Sequence, residues 1–299
     1  MNHTKYTCRY CNTKNVKTYK KLDIYTLSYC NKCKVISTNT IPQRESRMVN
    51  SEWYSKDYIS NYIFRAMSIK KRFKERILEI ETLKQGGKIL DLGSGIGLFL
   101  ESMRESAKFD WELYGVEINN NLYSAAKIRL KPFAPKLYLG RLTSLKLPNN
   151  YFDCITCFDV LEHDSNLKIT LRKIKKILKP SGLLLIQSPN EYSVMAHLCG
   201  ALWDWWAVPD HIFHFNVNSL ASILKKQGFQ IREKYTWDPR IEFILNIQGS
   251  IKNRIGPKSF LGKFIARYSY IPLLLLWFVL SIIEKKLNIG GLLIIKAEA

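Results

Sequence analysis

The sequence predicts an α/β fold, a parallel sheet covered by helices, on three observations. From Lys88 onward, short apolar runs alternate with helical stretches. One such run, Ile89-Leu90-Asp91-Leu92, enters a glycine turn, and a helical stretch follows at once. A carboxylate, Glu117, ends the next run. The alternation is that of strands joined by crossover helices, and a glycine turn at a strand's carboxyl end is where such sheets admit ligands.

The chain has 299 residues, 46 Lys and Arg against 25 Asp and Glu, and a formal net charge of +21. With 46% hydrophobic residues it has the means to bury a sizeable core, and disordered or collagen-like architectures are excluded. The positive charge is uneven: residues 1–50 carry ten basic and two acidic side chains, residues 241–299 are net +5, and residues 87–160 only +1. A basic excess at both ends suits accessory surfaces that approach something anionic, be it a membrane, a phosphate-bearing carrier or RNA. Residues 1–21 lack the apolar stretch of a secretory signal, so a reducing, cytoplasmic setting is expected.

Taken in order, residues 1–42 read as a zinc ribbon. Cys8-Arg-Tyr-Cys11 and Cys30-Asn-Lys-Cys33 are two CxxC knuckles, each able to present two thiolates to one tetrahedral ion. Four sulfurs complete the shell of Zn²⁺ and leave no open position, which makes the metal structural. Lys21 to Tyr29 alternates as a strand between the knuckles. So short a segment needs the metal to fold.

Ile41 to Asn50 is a polar linker, and Ser60 to Leu83 has the apolar spacing of a helix that ends at Gly86-Gly87. Residues 43–240 form the core. Strands are expected at Lys88–Leu92, Glu112–Glu117, Lys136–Leu139, Phe152–Phe158 and Leu183–Ser188, with helices at Gly97–Glu105, Asn120–Leu130, Leu167–Leu178 and Asn218–Gln227. Residues 241–288 are a hydrophobic, basic helical insertion, and residues 289–299 return as a closing strand. Ile271 to Ile283 is thirteen residues of nearly pure apolar character, short of the roughly twenty needed to span a bilayer. Two readings stand for this insertion: an element lying on an anionic membrane surface, or a buried cap or dimer interface.

The glycine turn is Asp91-Leu92-Gly93-Ser94-Gly95-Ile96-Gly97-Leu98. Leu98 stands where a dinucleotide fingerprint needs glycine, and Asp91 would repel a pyrophosphate while suiting an ammonium group. Glu117, at a strand end, suits hydrogen bonds from both hydroxyls of an unmodified ribose. These residues, with Phe152 to His163, Leu178 to Gly182 and Gln187 to Asn190, resemble class I S-adenosylmethionine-dependent methyltransferases, in particular a bacterial subgroup with an N-terminal four-Cys ribbon. The resemblance implies a Rossmann-like sheet of seven strands, mostly parallel with the last antiparallel, and S-adenosylmethionine as cofactor. It places Asp91, Gly93, Ser94, Gly95 and Gly97 around the methionine part, Glu117 on the ribose, Ile118, Arg141 and Leu142 at the adenine, and Phe158 by the sulfonium.

The activity so implied is methyl transfer to an oxygen of a small-molecule, sugar, quinone-like or lipid-carrier acceptor. An oxygen acceptor must lose a proton, and histidine serves that near neutral pH. His211 is the first candidate and His163 the second, with a purely structural role as the alternative for both. His214 and the tryptophans of Leu202 to Trp206 read as packing, although the tryptophans could also stack on an acceptor. Cys154 and Cys157 lie three apart on one strand and therefore face opposite sides of it, so they read as core. RNA is the second choice of acceptor, because the tetrad of amino-methylating enzymes is missing after the fourth strand, where Phe158-Asp159-Val160-Leu161 stands. A noncatalytic donor-binding module is the third reading.

Overall fold

A computed structural model describes residues 6–39, 60, 66–238, 243–244, 247–248, 255, 259 and 269–299. The linker at 41–50, the start of the first helix at 61–65 and most of the insertion's first half lie outside these residues. Among the described residues the strands form two sheets, one of four strands and one of seven.

The smaller sheet begins with β1 (Val16–Leu22), β2 (Tyr25–Cys30) and β3 (Ile36–Thr38). One strand was expected over Lys21 to Tyr29. The structure instead turns at Asp23, whose φ of 53° breaks the run into an antiparallel hairpin pairing Leu22 with Tyr25. Aspartate tolerates this left-handed conformation better than the β-branched and aromatic residues around it.

Helix α1 (Ala66–Glu81) precedes the alternating core: β4 (Gly87–Leu92), α2 (Leu98–Ser106), β5 (Trp111–Glu117), α3 (Asn120–Arg129), β6 (Lys136–Leu139), β7 (Phe152–Phe158), α4 (Leu167–Ile177) and β8 (Leu178–Pro189). Helix α4 shows why the pattern was readable. Leu167, Leu171, Ile174 and Ile177 are buried on one face, while its lysines and arginine lie on the other. Helix α3 starts where Asn119 Oδ1 accepts the amides of Asn121 at 2.9 Å and Leu122 at 3.2 Å, which would otherwise lack partners. The chain continues through α5 (Val194–Cys199), β9 (Phe213–His214), α6 (Val217–Lys226), β10 (Gln230–Trp237), α7 (Tyr270–Leu287) and β11 (Leu292–Glu298).

The larger sheet has the order β10-β11-β8-β7-β4-β5-β6. Strand β4 runs parallel to β5 and β7, and β5 parallel to β6. Strand β11 runs antiparallel to β8, because Ala299 N donates to Gly182 O at one end and Asn190 N to Gly291 O at the other. The mostly parallel seven-stranded sheet with a reversed last strand is thus as expected. Strand β10 was not anticipated. Its residues Gln-Ile-Arg-Glu-Lys are mostly exposed, as fits an edge strand, and carry no apolar run to betray it.

The chain divides into two compact units. One comprises Pro42–Ile186, Leu224–Arg232 and Lys296–Ala299; the other Met1–Ile41, Gln187–Ile223 and Glu233–Ile295. In the second unit β3 pairs with β9, Ile36 opposite His214 and Ser37 opposite Phe213, and this joins the cysteine-bearing hairpin to the segment after β8. Leu22, Leu27 and Ile36 then share a core with Met195, Trp203, Trp206, Phe243 and Ile244. Trp203 and Trp206 are therefore core residues of this unit. Among the described residues no helix is long and apolar enough to cross a membrane.

Candidate functional site

The carboxyl ends of β4, β5, β6 and β7 lie side by side, in register from Leu92 opposite Val116 and Cys157 to Glu117 opposite Leu139. The loops that leave them enclose a cavity of about 380 Å³, within the range of small-molecule sites. Of the residues singled out in the sequence, Gly93, Gly95, Glu117, Ile118, Arg141, Leu142, Phe158 and His163 line it. Asp91, Ser94, Gly97 and His211 are not among its lining residues; the first three lie on or beside the glycine turn itself.

Asp91 is 3% exposed and accepts a 2.7 Å hydrogen bond from Thr156 Oγ1, the residue paired with it on β7. Burial pushes its carboxyl up to about 7, the Thr156 bond opposes this, and the nearby Glu117 charge adds to it. Gly97 opens α2 with φ 83°, and a side chain there would meet Leu130 at 2.6 Å. Its glycine is needed for helix packing.

Gly93 and Gly95 differ in kind. A Cβ at Gly93 would strike Val160, and its φ is 74°. At Gly95, with φ 53°, a Cβ would meet nothing within 4 Å, so the backbone faces open cavity. Glycine there leaves room for a ligand to touch the main chain. Gly95→Asn, a side chain that tolerates a left-handed φ, should therefore fold with only modest loss of stability yet weaken ligand binding by roughly tenfold or more, read by calorimetry beside a melting curve.

Glu117 is buried, and burial raises its carboxyl pKa against the backbone amides that hold it. Asn119 N donates to Oε1 at 2.7 Å and Gly95 N to Oε2 at 2.9 Å. The second bond ties the carboxylate to the glycine turn, so the two halves of the motif hold one geometry. Each oxygen keeps a lone pair for a ligand hydroxyl. Phe158 forms one wall, packed edge-on to Phe99 at 5.0 Å between ring centres and tilted against Phe73 at 5.6 Å.

The lining also includes residues the sequence reading passed over, notably Gly140, Thr143, Asp159 and Asn166. Gly140 (φ 133°) and Asp159 (φ 57°) follow β6 and β7 in left-handed conformations. Their place just after strand ends was the available signal.

In the other unit, Cys8, Cys11, Cys30 and Cys33 bring their sulfurs within 4.8 Å of one another. Cys8 and Cys33 are 3.4 Å apart and Cys11 and Cys30 3.6 Å, far beyond a disulfide and near the roughly 3.8 Å edge of a tetrahedron with 2.3 Å metal–sulfur bonds. Cys33 N points at Cys30 Sγ at 3.4 Å, as a knuckle backbone does. The hydrogen bond to Cys8 pushes the Cys33 thiol up, and burial does the same to Cys11. Four sulfurs this close cannot all be thiolates without a cation among them. The donor set fits a metal ion.

His211 lies on the segment that enters β9. Its Nδ1 is 2.9 Å from Trp205 O. A carbonyl only accepts, so Nδ1 carries a proton and donates it there. Thr38 Oγ1 donates to His211 O at 2.8 Å and hence accepts from His214 Nε2 at 2.9 Å. His214 is buried against Trp206 and serves this chain of bonds. Cys154 and Cys157 are wholly buried in β7, and burial pushes both thiols up, which makes them inert packing.

Comparison with known proteins places these features. A family model described as a methyltransferase domain matches residues 62–234. Among curated proteins, the chain is 27% identical over 153 residues to fusarin C synthetase of Gibberella fujikuroi, a stretch that covers 47% of this chain and 4% of that protein. It is 27% identical over 106 residues to the ubiquinone/menaquinone biosynthesis C-methyltransferase of Paraburkholderia xenovorans, covering 35% of this chain and 44% of that one. The chain thus spans less than half the length of these relatives. Among solved structures, phosphoethanolamine N-methyltransferase 2 of Haemonchus contortus in complex with S-adenosyl-L-methionine aligns with a TM-score of 0.55 at 20% identity, covering 88% of this chain and 63% of that chain. The [4+2]-cyclase SpnF aligns with a TM-score of 0.50 at 19% identity, covering 76% and 79%. These structures share the fold.

Proposed function

We propose, from the premise that this chain belongs to the methyltransferase domain family, that it transfers a methyl group from S-adenosylmethionine to an oxygen of a small-molecule, sugar, quinone-like or lipid-carrier acceptor. The observation that carries this is the joint placement of the Glu117 carboxylate and the open Gly95 backbone in one cavity at the carboxyl ends of parallel strands. Glu117 would take the ribose hydroxyls, Gly93 and Gly95 the methionine part, and Ile118, Arg141 and Leu142 the adenine. Phe158 would face the sulfur. When bound, the donor supplies a methyl group already activated on a sulfonium.

The chain's own work is then to hold donor and acceptor in line, to exclude water, and to take the acceptor's proton. His211 is the first candidate for the last task, its ring oriented by the Nδ1 bond to Trp205 O. His163, in the cavity lining, is the second candidate. His211→Ala is expected to lower kcat by roughly 100-fold while donor affinity stays within about twofold, measured by calorimetry and single-turnover label transfer. A structural histidine would change both through misfolding. We assign Zn²⁺ to the four cysteines, as a closed structural site.

The deciding experiment offers methyl-labelled donor and the full chain to cell extract split into RNA, lipid and small-molecule fractions. Label in lipid or small molecules supports the reading. Label confined to RNase-sensitive material overturns it in favour of RNA. Donor binding with no label transferred to any fraction overturns it in favour of a noncatalytic module.

A further inference from the structure

Helix α7 carries two apolar faces, and the fold uses one. Leu273, Trp277 and Leu280 pack on the core of their unit. Trp277 Nε1 donates to Asp238 O at 2.8 Å, and Thr236 Oγ1 to Glu284 O at 2.9 Å. The buried Glu284 accepts Asp238 N at 3.2 Å. These contacts set the helix's rotation. On the opposite side Ile271, Leu275, Phe278, Val279 and Ile282 are 60% to 68% exposed. At about 100° per residue these five project within roughly a third of the circumference, centred opposite the packed stripe. Lys286 extends the same line at its C-terminal end and is also exposed.

We infer that this outer face docks on an anionic phospholipid bilayer, with α7 lying in the interface. Charge complementarity favours lipid over a second copy. Lys285 and Lys286 follow the apolar run, and Lys252, Arg254, Lys258, Lys263 and Arg267 precede it in sequence with no acidic residue among them. A second copy would bring the same basic flanks and the same net +21, whereas an anionic surface brings the opposite sign. Length favours lying over crossing. The thirteen residues Ile271 to Ile283 make about 20 Å of helix against about 30 Å of hydrocarbon. The chain re-enters a sheet at Leu292, and before the helix Gln248 Nε2 donates to Ser269 Oγ at 3.2 Å, so both ends of α7 are tied to its own unit. Burial of the outer stripe in the acyl boundary, with lysines at the headgroups, is the arrangement of a monotopic helix.

The test is flotation of the full chain with phosphatidylcholine vesicles, with and without about a third phosphatidylglycerol. Binding is expected to the anionic vesicles, to fall with added salt, and to drop by about tenfold or more in the Phe278→Glu, Ile282→Glu double variant. That variant should keep the parent's melting temperature and donor affinity. A second variant, Phe278→Trp, keeps the face apolar and should gain fluorescence quenched by brominated acyl chains. Three results would overturn the inference: no partition onto anionic vesicles, no quenching of the new tryptophan, or a concentration-dependent dimer in sedimentation that the glutamates dissolve. Donor binding is measured apart, so failure here leaves the methyl-transfer reading intact.

Discussion

Glu117→Ala is expected to weaken donor binding by about 10- to 100-fold. The carboxylate is held by two backbone amides, Asn119 N at 2.7 Å and Gly95 N at 2.9 Å. It is preorganised, and hydrogen bonds to a charged group are worth about 1.5–3 kcal/mol, which is the stated range of affinity. Removing it also frees Gly95 N and loosens the turn that the methionine part would approach. Glu117→Gln is the milder change. Its one carbonyl oxygen can accept from only one of the two backbone N–H groups while its NH2 faces the other, so it keeps part of the turn, loses the charge, and affinity should fall between wild type and alanine. Calorimetric titration with the donor reads both. An unchanged affinity in the alanine variant would remove the ribose assignment and with it the main support for the donor.

Loss of the metal is expected to be the largest effect on stability. Structural zinc contributes an apparent 10 kcal/mol or more in small zinc modules, roughly the whole stability of an ordinary domain. Here the four cysteines hold the ends of β1 and β2 and the approach to β3, and their sheet supplies Leu22, Leu27 and Ile36 to a core shared with Trp203 and Trp206. A strong chelator, or Cys30→Ser, should therefore lower the melting temperature of the whole second unit. The damage should reach His211. Thr38, at the end of β3, bonds both His211 O and His214 Nε2. Transfer rate is expected to fall in the Cys30→Ser variant more than donor affinity, because the cavity proposed for the donor is lined wholly by residues of the other unit. Metal analysis should give close to one zinc per chain. A stable, active, zinc-free preparation would refute the assignment.

Legibility followed the range of each interaction. The glycine turn, Glu117 at a strand end and the two CxxC knuckles are each set by a few neighbouring residues, and each was visible. Helices such as α4 announced themselves by a buried stripe at helical spacing. Strand β10 did not, since an edge strand of charged residues has no period to detect. Asp91 was expected around the methionine part; the structure shows it buried and bonded to Thr156. Its acidity was plain in the sequence, but the direction of its side chain depends on the register between β4 and β7. The short hairpin turn at Asp23 was hidden inside an alternating run.

By itself, then, the sequence determined the α/β alternation, the glycine turn with its acid and the set of four cysteines able to hold a metal. These are local patterns whose chemistry follows from residue type and spacing. Three matters were decided only by the tertiary structure. The pairing of β3 with β9 joins residues more than 170 positions apart, and no periodicity encodes so distant a partner. The cavity's lining depends on four strands ending side by side. The exposed face of α7 is the third: a helix apolar nearly all round has no preferred side, and only the Trp277 and Glu284 anchors choose which face is left to meet something else.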